Sequence, residues 1–157
     1  VNPVALPYFN FSYPEPTGVV SAVAPNESSL IGLISIIAPI IAGGNTVVVL
    51  ASDSKPLCSI TFAEVLHTSD VPGGVVNILT GHRSELLEHF SSHMDVNAIV
   101  YCGTDNDEIT LVQQNAALNV KRPVVYTDQD WMDNTVQDPY RILNTLETKI
   151  TWHPVGV

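Results

Sequence analysis

The sequence predicts an α/β fold: a three-layer, open and mainly parallel sheet that carries helices on both faces. Strand-like runs alternate with helix-like runs from Gly18 onward, and short connections join them. The run from Thr46 to Ala51 is apolar after its first position, which is typical of a strand buried on both faces. Strands that alternate with helices become parallel neighbours through right-handed crossovers, so helices cover both faces of the sheet.

The first half of the chain contains two pairs of a strand and a helix. A strand is predicted at residues 18–24 and a helix at 28–41, after which the glycine pair at 43–44 supplies the backbone freedom that a helix end needs. A second strand follows at 46–51. The helix predicted at 57–69 has apolar side chains at near-helical spacing, namely Ile60, Phe62, Ala63 and Leu66.

The same alternation continues through the second half of the chain. A Val-Pro-Gly-Gly turn at 71–74 separates the two halves. Further strands are predicted at 75–80, 98–102 and 123–127, and further helices at 84–92, 107–117 and 138–146.

Three segments are predicted along the chain. Residues 1–15, rich in proline, tyrosine and phenylalanine, form an extended lead, residues 16–150 form one domain, and residues 151–157 form a tail. The chain begins at Val1 without an initiator methionine, so we expect it to be a piece of a longer protein.

Composition is typical of a globular protein and argues against two classes of partner. Apolar residues make up 45% of the chain and charged residues 14%, which is enough to bury a core. The formal charge of −10 would repel both nucleic acid and an acidic membrane surface. The apolar stretch at 30–42 is shorter than the roughly 20 residues that a bilayer span requires. We therefore expect neither nucleic acid nor a membrane as partner.

Cysteine and histidine spacing predicts no metal site. Cys58 and Cys102 lie far apart without a nearby Cys/His cluster, which indicates a reducing compartment, and we expect a cytoplasmic protein. His89 and His93 are four residues apart, but no third ligand follows at a recognisable spacing. We therefore expect these histidines to lie on a helix surface.

Six short motifs occur together in one order. They are Pro-x-Gly-Val-Val at 16–20, Ala-Pro at 38–39, Gly-Asn-Thr-Val-Val at 44–48, Pro-Leu at 56–57, Pro-x-Gly-Val-Val-Asn at 72–77 with Thr-Gly at 80–81, and Gly-Thr at 103–104. In this order the sequence resembles the aldehyde dehydrogenase superfamily over about residues 15–120. The resemblance implies that residues 16–150 form an aldehyde-dehydrogenase-like Rossmann domain.

The resemblance also implies where a cofactor, NAD or NADP, would bind. Open α/β sheets hold their ligands at the carboxyl ends of the strands. The residues that match the family's cofactor-binding loops are Pro25, Asn26, Ser52, Asp53, Gly81, Gly103 and Thr104.

The first of these loops departs from the family at the position that stabilises the oxyanion. Glu27 stands where the family has an asparagine, and a carboxylate would repel the developing negative charge. Asn26 lies one residue early, so that its side chain would have to swing in to replace that donor. The simpler interpretation is that Asn26 or Ser28 caps the following helix.

The ribose and phosphate positions also depart from the family. Leu50 replaces the lysine that holds the adenosine ribose, while Asp53 keeps the acidic group of the same loop. In the turn after Gly103, Glu108 replaces a glycine that lies against the pyrophosphate in the family, and Asp105 and Asp107 add negative charge. Thr104 and Asp107 have the spacing of a capping box, so we expect a capped helix rather than a phosphate site.

No catalytic residue is predicted. After Pro123 the chain lacks both the family's Glu-Leu-Gly-Gly-Lys segment, with its general base, and its Gly-Gln-x-Cys segment, with its nucleophile. Cys102 has acidic neighbours, which raise the pKa of a thiol, and we expect it to be a small buried residue. Cys58 opens a helix and has no base beside it.

Two residues of the third loop could contact a ligand. Arg83 could contact an adenine or a phosphate, but an exposed arginine in the first helical turn is the simpler interpretation. We expect His82 to lie on the surface.

The favoured function is that of a non-catalytic, degenerate aldehyde-dehydrogenase-like domain. It would serve as a structural or docking module, with another domain or subunit of the same protein as partner and without a bound cofactor. A similar second unit without the nucleophile occurs in family 16 of the superfamily. The alternative is the cofactor-binding half of an NAD(P)-dependent aldehyde dehydrogenase, cut from its catalytic domain, and a third hypothesis is an unrelated doubly wound binding module.

Overall fold

The computed structural model describes residues 1–156, which form two sheets and four α-helices. The strands are β1 (Tyr8–Pro16), β2 (Val19–Val23), β3 (Thr46–Leu50), β4 (Val76–Leu79), β5 (Ala98–Cys102), β6 (Arg122–Tyr126) and β7 (Leu146–Pro154). The helices are α1 (Ile31–Ala42), α2 (Leu57–His67), α3 (Arg83–Ser92) and α4 (Asn106–Leu118), with 3₁₀ helices at Asn134–Val136 and Pro139–Thr145. The last residue of the predicted tail, Val157, lies outside the described residues.

The larger sheet confirms the predicted fold class. Its five strands run in the order β4-β3-β2-β5-β6, and every neighbouring pair is parallel. Strands β3 and β4 extend the sheet to one side of β2, and β5 and β6 extend it to the other. After β4 the chain returns to the other side of β2, so that a topological switch point lies between β2 and β5.

Helices cover the two faces of this sheet as two separate cores. On one face Leu33, Ile36 and Ile40 of α1 pack on Val20 and Val47, and Phe62 of α2 joins the same cluster. The second core has Leu87 and Phe90 of α3 and Val112 and Ala116 of α4 packed on Val23, Leu50, Ile99 and Tyr101. Successive strand residues point to opposite faces, which explains why nearly every position of β2 and β5 is buried.

Asn45 joins three segments at the amino end of the sheet. Its side-chain oxygen accepts a hydrogen bond from the Gly18 backbone N–H at 2.8 Å. Its amide nitrogen donates to the carbonyl oxygens of Ile40, at 3.3 Å, and Thr145, at 3.0 Å. Because Asn45 is 2% exposed, these bonds replace water at the end of α1, the start of β2 and the second 3₁₀ helix.

The smaller sheet is an antiparallel ribbon of β1 and β7. The register runs from Tyr8 opposite Pro154 to Pro16 opposite Leu146. The predicted lead therefore contributes most of β1, and β7 crosses the predicted boundary between residues 150 and 151.

The helix predicted at 138–146 is wrong. Residues Pro139–Thr145 form a 3₁₀ helix, and Leu146 already begins β7. Asp138 accepts a hydrogen bond from the Tyr140 N–H, and Pro139 presets the first turn, so the segment begins as a helix does. Pairing of the next residues with a strand more than a hundred positions away then ends it.

No helix among the described residues is both long enough and apolar enough to cross a bilayer.

Candidate functional site

The candidate site is the crevice at the switch point, between the carboxyl ends of β2 and β5. Ligands of open α/β sheets bind in crevices of this kind. Ala24 follows β2 and Cys102 ends β5, so their backbone carbonyls mark the two sides of the crevice. The predicted cofactor-binding residues all belong to loops that follow β2, β3, β4 or β5.

Arg83, the first residue of α3, reaches into this crevice. Its Nη2 donates to the carbonyl oxygen of Ala24 at 2.9 Å and to that of Cys102 at 3.3 Å. Its guanidinium carbon lies 5.5 Å from the centre of the Tyr101 ring. The side chain is 14% exposed, so the prediction of an exposed first-turn arginine is wrong. The strand-end carbonyls need donors, and the guanidinium fork supplies them.

Glu108, in the first turn of α4, completes the group. Its Oε2 accepts a hydrogen bond from the Tyr101 hydroxyl at 2.5 Å and one from Arg83 Nη1 at 3.4 Å. Burial, reinforced by this hydrogen bond to Glu108, raises the pKa of Tyr101 well above its usual value. The hydroxyl therefore stays protonated at neutral pH and keeps donating to Glu108. Arg83, Tyr101 and Glu108 are called the crevice triad below.

The crevice triad packs directly against Gly103. A Cβ atom at Gly103 would lie 2.6 Å from the Tyr101 hydroxyl oxygen and 3.0 Å from Arg83 Nη1. The open side of this glycine, where a side chain would project, therefore faces two polar groups of the same chain.

Pro25, Asn26, Ser52 and Asp53 lie together but are engaged with one another. The side-chain oxygen of Asn26 accepts from the Asp53 N–H at 2.9 Å, and its carbonyl oxygen accepts from the Ser52 hydroxyl at 3.0 Å. Pro25 is buried against α1, where a Cβ at Gly32 would lie 2.4 Å from its Cγ. These residues fasten the loop after β2 to the loop after β3.

The remaining predicted positions are divided between the core and the surface. Leu50 is 1% exposed and belongs to the second core. The Asp53 carboxylate lies 3.0 Å from Nδ1 of His82, which is itself exposed as predicted. Gly81 packs against Leu86, and Thr104 is exposed.

Capping of α4 differs from the prediction, whereas at α1 one of the two predicted residues, Ser28, accepts a hydrogen bond from a first-turn N–H. Asp105, not Thr104, caps α4, and its carboxylate accepts from the N–H groups of Asp107 and Glu108. Asp105 is the residue directly before the helix, and its carboxylate is close enough to accept these hydrogen bonds. Thr104, the predicted capping residue, lies one position too early. Ser28 accepts from the Gly32 N–H in the first turn of α1, whereas Asn26 does not cap this helix.

A cleft of about 340 Å³ opens beside the crevice, at the ends of β5 and β6. Glu27, where the family has its oxyanion asparagine, lines this cleft together with Asp128. The other lining residues are Cys102, Gly103, Thr104, Tyr126, Gln129 and Trp131. Among the described residues, both charged side chains that line the cleft are therefore acidic, and they disfavour an anionic ligand or intermediate in it.

Cys102 has the environment of a structural cysteine. Its side chain is 1% exposed, and burial raises the pKa of the thiol to about 12. Burial is the largest cause of the raised pKa, Arg83 acts in the opposite direction, and the acidic neighbour that contributes to the increase is Glu27. At pH 8 such a thiol is almost entirely protonated and therefore a poor nucleophile.

We expect thiol reagents to distinguish the two cysteines. Cys58 is exposed in the first turn of α2, and Cys102 is buried at the end of β5. In the folded protein at pH 8, dithiobisnitrobenzoate should label Cys58 and leave Cys102 unlabelled, while both react in denaturant. Cys58→Ser should abolish the fast labelling, and Cys102→Ser should preserve it. Rapid labelling of Cys102 in the folded Cys58→Ser variant would contradict its burial.

The histidine pair does not form a metal site with other ligands. His93 follows the last residue of α3 with an extended backbone, and its Nδ1 accepts from the Asp95 N–H at 3.3 Å. Within residues 1–156, no group of three or more His, Cys, Asp or Glu side chains could hold a metal ion.

Comparison with known proteins identifies the family of this sequence. The family profile described as the aldehyde dehydrogenase family matches residues 2–127. A hydroxyisobutyraldehyde dehydrogenase of Mycolicibacterium austroafricanum is 32% identical over 136 residues, which cover 82% of this chain and 27% of the relative. The aldehyde dehydrogenase 1A1 of Homo sapiens is 30% identical over 140 residues, covering 83% of this chain and 28% of the relative.

Solved structures show the same likeness. A mutant of aldehyde dehydrogenase C from Pseudomonas syringae, in complex with NAD⁺ and octanal, matches with a TM-score of 0.72 and 33% identity, covering 75% of this chain and 24% of that chain. PnpE from Pseudomonas sp. WBC-3 matches with a TM-score of 0.74 and 27% identity, covering 79% and 25%. The present chain thus spans about a quarter of the length of these proteins.

Proposed function

Because the chain belongs to the aldehyde dehydrogenase family, we propose that it is a non-catalytic domain of that family with a structural or docking role. Its partner is another domain or subunit of the same protein, and neither nucleic acid, a membrane nor a metal takes part. Two free cysteines support a reducing, cytoplasmic location.

The observation that carries the proposal is the position of Arg83. Its guanidinium bridges the carbonyls of Ala24 and Cys102 at the switch point, where a family member would be expected to bind its cofactor. The neighbouring positions support the same conclusion, since Leu50 is buried and Glu108 is an acid where a phosphate would need a donor. We infer that these residues do not fit a dinucleotide.

The cleft beside the crevice supports the absence of catalysis. A thiolate nucleophile and a general base are needed for aldehyde oxidation in this family, and the one cysteine that lines the cleft has a pKa of about 12. Glu27 places a carboxylate where the oxyanion would need a donor.

The ribbon supports a docking role. Tyr8, Ile150 and Trp152 are large apolar residues between 47% and 60% exposed, and the register places them on one face of a sheet of only two strands. Both outer edges of such a ribbon carry backbone groups that can pair with another chain. Clustered exposed aromatic residues are common at protein interfaces. We propose the ribbon as the docking surface.

A second candidate function is the cofactor-binding half of an NAD(P)-dependent aldehyde dehydrogenase. Asp53 keeps an acidic group at the family's ribose-binding loop, with a side chain that is 35% exposed. The similar protein from Pseudomonas syringae was solved with NAD⁺ and octanal. The catalytic residues would then belong to a different part of the protein.

One preparation of the chain tests both parts of the proposal. Mixed with an aldehyde and NAD⁺ or NADP⁺, it should produce no reduced cofactor by absorbance beyond a sample without protein. In sedimentation velocity it should associate as concentration rises, and Trp152→Lys should abolish the association because a charge would enter the aromatic cluster. Leu118→Lys is the matched control, since Leu118 is 81% exposed on α4, away from the ribbon.

Turnover of an aldehyde would contradict the non-catalytic role. A monomer at every concentration, or an equal effect of the two lysine substitutions, would contradict docking of a subunit through the ribbon.

A further inference from the structure

We propose that the crevice triad is an internal latch, in which Arg83, Tyr101 and Glu108 fill the crevice and hold the strand ends together in place of a ligand. The inference goes beyond the absence of catalysis, because it assigns these side chains a positive role in stability. It rests on the proposed function only in naming a dinucleotide as the ligand that the crevice would otherwise hold.

Hydrogen-bond chemistry is the first argument. The carbonyls of Ala24 and Cys102 are acceptors at the ends of adjacent strands, and both accept from Arg83 Nη2. The diphosphate of a dinucleotide carries acceptors and no donors at neutral pH, so it could not replace the guanidinium between these two oxygens. Entry of a diphosphate would leave two largely buried carbonyls without their donor.

Space is the second argument. In glycine-rich turns of this fold class, the bare backbone allows the diphosphate to approach closely. Here the side of Gly103 where a Cβ would project lies within 3.0 Å of Arg83 Nη1 and 2.6 Å of the Tyr101 hydroxyl. The glycine is retained, but the crevice triad occupies the room that it provides.

Charge is the third argument. Arg83 is the cation of this crevice, and Glu108 Oε2 lies 3.4 Å from its Nη1. The carboxylate of Asp105 already accepts from two N–H groups in the first turn of α4, those of Asp107 and Glu108. The guanidinium and two N–H groups at the start of the helix are therefore already engaged, and a phosphate would meet two carboxylates there.

The connections made by the latch explain why its loss should destabilise the fold. Arg83 belongs to α3, Glu108 to α4 and Tyr101 to β5, while Ala24 follows β2. The latch thus joins two helices and two strands at one point. Its side chains are mostly buried, with 14% of Arg83 and 26% of Glu108 exposed, so these contacts are little screened by water.

Thermal unfolding of a double-mutant cycle tests the latch. We expect Arg83→Ala to lower the Tm by roughly 4–10 °C and Glu108→Ala to lower it by a smaller amount. The Arg83→Ala/Glu108→Ala double variant should lose less Tm than the two single losses added together, because each single variant already breaks the contact between Arg83 and Glu108. A Tm unchanged by Arg83→Ala, or effects that add fully in the double variant, would overturn the latch.

Two variants with glycine substitutions test whether the latch excludes a dinucleotide. Arg83→Ala/Glu108→Gly removes both charged members of the latch and restores the family residue at 108, and Arg83→Ala/Glu85→Gly places the glycine instead at an exposed position in the first turn of α3. With millimolar NAD⁺ we expect the Tm of Arg83→Ala/Glu108→Gly to rise, and the Tm of the control variant and of the unaltered chain to stay unchanged.

An equal response of the two glycine variants would overturn the exclusion. This result is distinguishable from failure of the proposed function, which is measured by aldehyde turnover and sedimentation of the unaltered chain.

Discussion

Replacing Asn45 by alanine is expected to lower the free energy of unfolding by about 3 kcal/mol. For a chain of this size that corresponds to a fall in Tm of roughly 6–12 °C. The expectation follows from burial, because the amide is 2% exposed and its hydrogen bonds to Ile40 and Thr145 are buried.

The unsatisfied groups left by this substitution lie on three segments. The Gly18 N–H would lose its acceptor, and the carbonyls of Ile40 and Thr145 would lose a donor. Each buried polar group without a partner costs about 1–3 kcal/mol, although local rearrangement recovers a part of that sum. The end of α1, the start of β2 and the last 3₁₀ helix would loosen together.

Urea unfolding followed by circular dichroism measures this effect. Asn106→Ala is the matched control, because Asn106 loses the same amide at an exposed position of α4 and should change stability by less than about 0.5 kcal/mol. Equal losses of unfolding free energy in the two variants would contradict the stabilising role of the buried Asn45 amide.

The parallel sheet could be predicted because its signals are local. The β-branched run at Thr46–Val49, the glycine pair after α1 and the short connections each depend on neighbouring residues only. The five predicted strands all appear in one parallel sheet. The ribbon could not be predicted in this way. Tyr8 pairs with Pro154 across almost the whole chain, and no local pattern specifies such a partner.

The candidate site could be predicted in part. Sequence alone identified Glu27, Leu50 and Glu108 as departures from the family, and the structure places Leu50 in the core and Glu108 at the crevice. It missed the crevice triad because Arg83, Tyr101 and Glu108 come from three elements that only the fold brings together. The available signal was Tyr101, the single aromatic residue in a strand of small and aliphatic residues. It lies seven positions before Glu108, its hydrogen-bond partner.

Loss of dinucleotide affinity is the second large effect that we expect. A change of the dissociation constant from micromolar to millimolar corresponds to about 4 kcal/mol. Loss of the ribose-binding lysine at Leu50 removes a charged hydrogen bond worth about 1.5–3 kcal/mol. Repulsion from Glu108 and the cost of displacing Arg83 from two carbonyls add to this loss.

Calorimetric titration of the unaltered chain with NAD⁺, and then with NADP⁺, tests the central claim most directly. The account predicts no saturable heat below millimolar concentration for either dinucleotide, because the crevice triad occupies the site. Saturable binding at micromolar concentration would contradict it, and the chain would then be the cofactor-binding half of an enzyme.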